Sequence, residues 1–455
     1  MLTDITRNDL LAIKGLIDGE DYETSGELLN SYLTRFPDDE NGHFLLARIM
    51  LETNKPAIAL ALLNGKKESE RWSIQYCLAR AWSMLGKQFD ALRHYMEADK
   101  LSPDNEAICH GISCCYVELR DQSKAIEWAE RTLELNPDNA LAKANIGYAA
   151  LQGRDYDTGW KMYDHGIGHL HSRQERVYHG EPAWDGRDAK IVVYSDQGLG
   201  DQIAAVEALR DTRAEVVCLD VDPKLRNLFA RNFPEIPVHG SDCPNDVDFH
   251  ANLWTLHKYA RHSESDYTKK PYLTPHPELA IMWRALLDSL GNKPKVGVAW
   301  SGGIPATHSF ERRAQLDALL PILRLPCEWI NLEYLDREEE LADFDRRKGI
   351  YMHEWPRATR SQEGQDFEEL AALVSQLDAV VSVPTTVTHL AGALGVPTFC
   401  MVNPRPNVHY GNHGDQMPYY GSVRLFRRTN PDFWVETVAA VAHQLAEVIS
   451  NARAA

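Results

Sequence analysis

Residues 379–403 read AVVSVPTTVTHLAGALGVPTFCMVN, and this pattern predicts a strand, a turn, a helix and a second strand. Thr385 or Thr386 can cap the helix, Gly395 ends it, and residues 398–402 form the next strand. The turn between the first strand and the helix then exposes free backbone N–H groups. Because unpaired amides and the helix dipole both favour anions, we expect this turn to bind phosphate, such as the diphosphate of a nucleotide.

The same pattern also occurs in α/β proteins that bind no ligand at the turn, so spacing alone leaves both interpretations open. His389 favours phosphate binding, since it lies three and four residues after Thr386 and Thr385, on the same helical face and directed towards the turn. A histidine on a helix can equally be structural.

The length of 455 residues predicts two or three domains, each with its own core. The net charge of −18 argues against a nucleic-acid-binding protein, which would present a basic face. Several arginines fall in the last third of the chain, where an anionic ligand would be held: Arg312, Arg313, Arg405, Arg427 and Arg428.

The eight cysteines show no C-x-x-C and no regular spacing, so the sequence indicates neither a zinc knuckle nor a disulfide framework. Asp220-Val221-Asp222 has the form of a metal-binding D-x-D, but Asp222 before Pro223 more simply caps a helix, and we expect no metal. The chain begins without an apolar leader and has no run of about 18 apolar residues. We therefore expect a cytoplasmic protein without a membrane span.

A repeat of 34 residues fills the first third of the chain. It aligns the small residues Ala79, Ser113 and Gly147, which allow two helices to cross closely, and Pro103 with Pro137. The pattern resembles the tetratricopeptide repeat (TPR) and predicts an α-superhelix over residues 1–165. Such arrays bind extended peptides or proteins on their concave surface, or else only pack against the rest of the chain or mediate homo-oligomer formation.

Strands and helices alternate after the repeat. A polar linker, 166–186, precedes one alternating block at 187–290, and a second block at 291–455 ends in an amphipathic helix. We predict two Rossmann-like α/β domains with a cleft between them, lined by the carboxyl ends of the strands and by glycine-rich turns.

Two further turns could carry chemistry. Gly198-Leu199-Gly200-Asp201 follows the first strand but lacks the full G-x-G-x-x-G spacing and a Walker lysine, which disfavours dinucleotide binding and ATP hydrolysis. An ionised Asp201 could take a proton from an attacking hydroxyl, or could only cap its helix. In the second block, Ser301 and Gly302 follow a strand, and Ser301 could donate to a phosphate oxygen.

Several motifs occur in a fixed order along the chain: Pro182-x-Trp184-x-Gly186, Gln197 to Asp201, Trp300-Ser301-Gly302, Ser382 to Pro397, and Arg424 to Arg427. Together with the repeats they resemble bacterial TPR glycosyltransferases, and the resemblance covers nearly the whole chain. The predicted catalytic half is similar to the heptosyltransferases of glycosyltransferase family 9, which have the GT-B fold, and the layout is similar to that of protein O-GlcNAc transferase.

The resemblance implies that Asp201 is the general base and that a nucleotide sugar is the donor substrate. It implies neither a metal nor another cofactor, because GT-B enzymes usually stabilise the leaving nucleoside phosphate with helix dipoles and side chains. The donor-binding residues that it implies are Gly198, Gly200, Ser301, Gly302, Glu333, Ser382, Thr385, Thr386, His389 and Gly392, with phosphate contacts expected from His308, Arg312 and Arg405.

Two positions depart from the family pattern. Pro384 stands where the family commonly has Asp, which removes a contact to the sugar. Glu333 stands where the family commonly has Gln, and its charge would repel phosphates unless it faces the base or the ribose.

The leading hypothesis is a protein glycosyltransferase whose repeats capture an acceptor protein and whose cleft moves a hexosyl, heptosyl or nonulosonyl group to a Ser or Thr hydroxyl. Flagellin or another surface protein is an acceptor suggested by the resemblance alone. The alternatives are a binding scaffold with reduced catalysis, motivated by Pro384, and a transferase acting on a lipid-linked or polysaccharide glycan.

Overall fold

The computed structural model describes residues 9–170, 173–239, 243–303, 309–359, 366–429 and 433–454. The chain divides into two compact units, Met1–Ala149 and Ala150–Ala455. Paired helices come first and two parallel α/β sheets follow, which confirms the predicted fold class. None of the described helices combines the length and the apolar character needed to cross a bilayer.

Paired helices make up the repeat region, and each pair turns at a residue with a left-handed backbone: Glu20, Asn54, Gly86, Arg120 and Arg154. These positions are 34 residues apart, except that Asn54 and Gly86 are 32 apart. A residue in the left-handed conformation allows hydrogen bonds to the last carbonyl groups of the helix before it. The same turn therefore recurs in each repeat. The helices are α1 Leu10–Asp18, α2 Tyr22–Arg35, α3 Glu40–Glu52, α4 Pro56–Leu62, α5 Trp72–Met84, α6 Gln88–Leu101, α7 Glu106–Leu119, α8 Gln122–Leu135, α9 Ala140–Gln152 and α10 Tyr156–Tyr163.

Small residues allow neighbouring repeat helices to pack closely. Ala79, Ala91 and Ala98 are completely buried in one core cluster with Tyr95. A β-carbon on Gly111 would lie 2.4 Å from the Tyr95 ring, so α7 needs glycine there. The small size of the residues at the helix crossings therefore determines how closely these helices pack.

The first half of the second unit is a parallel four-stranded sheet in the order β3-β2-β1-β4. Its strands are β1 Lys190–Tyr194, β2 Glu215–Asp220, β3 Val238–His239 and β4 Phe249–Asn252. Its helices are α11 Leu199–Ala205, α12 Arg226–Asn232 and α13 Thr255–Ala260.

The second half is a parallel six-stranded sheet in the order β10-β9-β8-β5-β6-β7. Its strands are β5 Lys295–Ala299, β6 Glu328–Asn331, β7 Met352–His353, β8 Ala379–Ser382, β9 Thr398–Val402 and β10 Val423–Arg427. The helices of this half, with the one that leads into it, are α14 Pro277–Asp288, α15 Ser309–Arg312, α16 Leu320–Leu323, α17 Glu338–Lys348, α18 Pro356–Thr359, α19 Phe367–Ser375, α20 Thr386–Leu394 and α21 Val435–Ala454.

The segment between the repeats and β1, expected to be a linker, packs against the first sheet. The amide of Trp184 donates to the carbonyl of His250 on β4 over 2.8 Å. Arg173 is 1% exposed and its Nε donates to Asp196 over 3.1 Å. β4 contains buried polar residues such as His250 and Asn252. The sequence therefore does not indicate this strand, because strand patterns are recognised by their apolar side chains.

Helix α10 belongs to the last repeat by sequence but lies in the second compact unit. Trp160 of α10 is 1% exposed, and its Nε1 donates to the Tyr267 hydroxyl over 3.0 Å. The repeat predicted through residue 165 thus extends beyond the first compact unit.

One disulfide joins Cys218 of β2 to Cys243. Nothing in the sequence indicates this bond, since a separation of 25 residues matches no recognised cysteine motif.

Candidate active site

Three turns at the carboxyl ends of parallel strands meet in the second unit. β5 and β8 are hydrogen-bonded neighbours, which brings their following turns together. A β-carbon on Gly302 would lie 2.3 Å from Cγ2 of Thr385, and one on Gly200 would lie 3.3 Å from Cα of Thr386. The turn after β1, from the other sheet, therefore contacts the start of α20. The structure brings together Gly200, Gly302, Thr385 and Thr386, as the sequence predicts.

Asp201 lies in the first turn of α11, where the backbone N–H of Gly198 donates to its carboxylate. Its side chain is 23% exposed, and the rest of it is surrounded by protein atoms. Burial raises the pKa of Asp201 to about 6, while the Gly198 amide and the charge of Arg312 act in the opposite direction. A carboxylate of this kind can accept a proton near neutral pH.

The turn before α20 is braced from within. The hydroxyls of Ser382 and Thr388 both donate to the carbonyl of Val383, over 2.8 and 3.0 Å. Thr385 is extended at the helix start and its side chain makes no capping bond to any residue that the structure describes. The first amides of α20 are therefore left without a side-chain cap, which suits an anion.

Pro384 acts through its backbone. Its carbonyl accepts a hydrogen bond from Nη1 of Arg312 over 3.2 Å. Arg312 also lowers the pKa of Asp201 by its charge, so this guanidinium lies near both the general-base candidate and the turn before α20. The backbone of Pro384 thus contacts Arg312 beside the turn, although its side chain departs from the motif described above.

His389 is 4% exposed, and its two ring nitrogens contact tyrosine hydroxyls. Nδ1 lies 3.2 Å from the hydroxyl of Tyr420, and Nε2 lies 3.0 Å from that of Tyr410. Burial lowers the pKa of His389 to about 4, so the ring is neutral at pH 7. Its Cδ2 edge, not a nitrogen, faces Gly200. Binding of the donor by His389 stays a prediction.

Glu333 is 1% exposed and braces the turn after β5 from inside the protein. It accepts hydrogen bonds from the amides of Trp300 and Ser301, both over 2.6 Å, and from the Ser301 hydroxyl over 2.5 Å. Arg337 donates to that same hydroxyl over 2.7 Å. Burial raises the pKa of Glu333. The carboxylate of Glu333 is thus directed into the protein, where it accepts these hydrogen bonds, and does not face outward towards a phosphate.

The remaining predicted residues differ in their surroundings. Nε of Arg405 donates to Glu311 over 2.8 Å, so this cation is already paired with a carboxylate. Gly392 serves helix packing, because a β-carbon there would lie 2.5 Å from the ring of Tyr420. His308 lies outside the described residues.

The sequence analysis did not identify His409. Its Nε2 lies 3.5 Å from Oδ1 of Asp201, and its Nδ1 lies 3.1 Å from the hydroxyl of Tyr419. Arg427, at the end of the last sequence motif, fixes the loop that carries His409. Its guanidinium donates to four backbone carbonyls, those of Tyr410, Gly411, His413 and Gly414.

A polar cavity of about 340 Å³ opens at the carboxyl ends of β1 and β2. It is lined on one side by Gln197 and Gln202, which flank the turn of Asp201. The other lining residues include Arg176, Asp220, Asp222 and Arg226. Among the described residues, no cluster of three or more His, Cys, Asp or Glu side chains is arranged to hold a metal ion.

Comparison with known proteins gives the following similarities. No family model matches this chain. Protein FlbA of Caulobacter vibrioides is 25% identical over 460 residues, covering 94% of this chain and 76% of that protein. A glycosyl transferase family 9 structure from Veillonella parvula is 14% identical with a TM-score of 0.40, covering 54% of this chain and 88% of that one. A TPR protein from Thermus thermophilus is 19% identical with a TM-score of 0.31, covering 34% of this chain and 87% of that one. The chain is thus similar along nearly its whole length to Protein FlbA, and its fold joins paired helices to two parallel α/β sheets.

Proposed function

We propose that this protein transfers a sugar from a nucleotide-activated donor to a Ser or Thr hydroxyl of an acceptor protein. The observation that carries the proposal is the meeting of two helix starts, one from each α/β half. Asp201, a partly exposed carboxylate with a raised pKa, lies on α11, whose Gly200 packs against Thr386 of α20. A general base on α11 and a phosphate bound at the start of α20 would therefore be neighbours.

The two groups would act on opposite ends of one reaction. The acceptor oxygen forms a bond to the anomeric carbon of the sugar while its proton passes to Asp201. The bond from that carbon to the phosphate oxygen breaks, and the leaving nucleoside phosphate takes the electron pair. The amides at the start of α20 and the guanidinium of Arg312 stabilise the charge that develops on that phosphate.

The acceptor side of the proposal uses two features. The repeat helices would capture the acceptor protein, as such arrays commonly do. The polar cavity beside Gln197 and Gln202 would receive groups next to the reacting hydroxyl. Flagellin or another surface protein is the acceptor class to test first, and a cytoplasmic reaction before export of the acceptor is part of the same proposal.

The proposal is tested by binding and by mass. A panel of nucleotides and nucleotide sugars, including cytidine monophosphate-linked nonulosonic acids, is screened by thermal shift against the full chain. The stabilising donor is then incubated with the protein and candidate acceptors, and the acceptor mass is measured. We expect the mass to increase by one glycosyl residue with the wild type and not with Asp201→Asn.

Asp188→Asn is the matched control, because Asp188 is an exposed carboxylate of the same half. It should retain wild-type transfer. Donor binding without any transfer across the acceptor panel would instead favour the scaffold, and transfer to a lipid-linked or polysaccharide glycan would favour the third hypothesis.

A further inference from the structure

His409 is a buried histidine that the reaction as described leaves without a role. Its side chain is 1% exposed, and among the described residues its Nε2 has no hydrogen-bond partner at normal distance. That nitrogen lies 3.5 Å from Oδ1 of Asp201. A buried polar atom without a hydrogen-bond partner is destabilising, so the direction of Nε2 towards the carboxylate calls for an explanation.

Stacked rings fix the orientation of His409. The Trp254 ring lies 4.1 Å from the His409 ring at an interplanar angle of 10°. The Trp160 ring stacks on Trp254 as well, at 5.1 Å and 11°, and lies 6.2 Å from the His409 ring. The two tryptophans come from α10 and from the segment after β4, so two other segments hold this imidazole of the loop after β9 in place.

The hydroxyl of Tyr419 is the partner of the other ring nitrogen, Nδ1. It lies 3.1 Å from Nδ1. If that hydroxyl donates to Nδ1, then Nε2 carries the proton and points it at Asp201, and both ring nitrogens are used. The distance of 3.5 Å is long for a hydrogen bond, but catalytic contacts are commonly long before substrate binds and shorten afterwards.

We propose that His409 is a positioning residue for Asp201: the neutral imidazole, held by Trp254 and Tyr419, donates from Nε2 to one carboxylate oxygen and leaves the other oriented to accept the proton of the acceptor hydroxyl. This inference rests on the proposed function, because it assigns the role of general base to Asp201.

A neutral donor suits this role better than a charged one. Burial, followed by the nearby His389, His257 and Arg173, holds the pKa of His409 well below its usual range. An imidazolium would form an ion pair and lower the pKa of Asp201, which would weaken the base. The other charges acting on Asp201 are Arg312 and Arg173, which lower its pKa, and Asp196, which raises it.

His409→Phe tests the inference, because phenylalanine keeps a ring against Trp254 and removes both ring nitrogens, the Nε2 that faces Asp201 and the Nδ1 that contacts Tyr419. We expect kcat to fall at least about tenfold, with the donor KM unchanged and the acid limb of the pH profile moved to higher pH. Tyr419→Phe should change both in the same direction by less. His409→Gln, which restores an N–H donor, should recover part of kcat.

His257→Phe is the control. His257 is a fully buried histidine of the same cluster, 4.7 Å from the Trp254 ring, whose nitrogens contact Tyr267 and Ala205 instead of Asp201. If His257→Phe and His409→Phe lose kcat equally with the pH profile unmoved, His409 is only part of the core and the inference is overturned.

A readout without turnover separates this inference from the proposed function. The carboxyl ¹³C resonance of Asp201, identified by its loss in Asp201→Asn, is titrated in the wild type and in folded His409→Phe. Loss of a donor should raise the pKa of Asp201, whereas identical titrations would overturn the inference. A wild type inactive with every donor and acceptor would overturn the proposed function and leave this titration decisive for His409.

Discussion

Gly200 of α11 contacts Thr386 of α20 so closely that a β-carbon on the glycine would lie 3.3 Å from the threonine Cα. Such separation is tighter than ordinary van der Waals contact between a side chain and a backbone. The two helices belong to different sheets, and each begins at the carboxyl end of a strand. The first turn of α11 and the first turn of α20 therefore contact each other at the backbone.

Gly302→Ala should disturb donor binding through Thr385. The added methyl group would lie 2.3 Å from Cγ2 of Thr385, so that side chain and the start of α20 must shift. We expect donor affinity to fall by about tenfold, which corresponds to about 1.4 kcal/mol. Isothermal titration with the donor that gives the strongest thermal shift measures the change.

Gly26→Ala serves as the control for Gly302→Ala. The space around Gly26 is open, so the added methyl group meets nothing. Equal donor affinity in both variants and the wild type would show that the turn after β5 does not shape the donor site.

Asp201→Asn should stabilise the protein at neutral pH while abolishing transfer. The folded pKa of about 6 lies above the ordinary value of 3.8, so the folded state binds the proton more tightly and loses stability as pH rises from about 4 to about 6. The neutral amide avoids this loss. After allowance for partial exposure, we expect a gain of about 2 kcal/mol at pH 7.5 and almost none at pH 4.

Urea unfolding at the two pH values measures this gain. Asp188→Asn, in which an exposed carboxylate is replaced, should show no such pH dependence. A variant Asp201→Asn less stable than the wild type at pH 7.5 would mean that the carboxylate is held mainly as a helix cap.

The rate of transfer should fall in acid because Asp201 must be ionised to accept a proton. We expect kcat/KM to decrease about tenfold per pH unit below pH 6, the approximate pKa of this carboxyl group. Initial rates between about pH 4.5 and 8.5 measure the limb. A midpoint near about 4 would indicate that burial does not perturb the base.

Glu333→Ala should destabilise the protein more than Glu333→Gln. Alanine leaves the buried amides of Trp300 and Ser301 without an acceptor, which costs about 1–3 kcal/mol for each unsatisfied group. Glutamine keeps one acceptor oxygen and should lose less. Unfolding by urea gives both values, and equal stability of the two variants would contradict the bracing role of the carboxylate.

Gly86→Ala and Gly15→Ala should change the stability of the repeat region in opposite directions. Neither methyl group would meet another atom. Gly86 has φ of 73°, where a side chain costs about 1 kcal/mol, whereas Gly15 lies inside α1, where alanine gains about 1 kcal/mol. The unfolding temperatures of the two variants and the wild type test this prediction. A change of the same sign in both variants would contradict the left-handed conformation of Gly86.

Much of the fold follows from short-range patterns in the sequence. The strand, cap and glycine of residues 379–403 predict β8, α20 and β9 because apolar strands and helix ends leave local signals. β3 and β7 have two residues each, and β4 carries buried polar residues, so none of them gives such a signal.

The candidate site is predictable only in part for a related reason. The turns after β1, β5 and β8 follow from strand ends and glycines, since the carboxyl ends of parallel strands share an edge. His409 becomes significant only through tertiary contacts with Asp201 and Trp254, which no local pattern contains. The sequence predicts that Glu333 faces the donor, because it cannot show that the amides of Trp300 and Ser301 surround this carboxylate.

Trp160 sets a limit on how this protein can be divided or recombined. A truncation or chimera cut at residue 165, where the sequence repeat ends, would discard this tryptophan, its stacking on Trp254 and its hydrogen bond to Tyr267. A cut after Ala149 keeps all of these with the sheets. Exchanging repeat arrays between related chains should therefore preserve the second unit only when α10 is inherited with the sheets and not with the array.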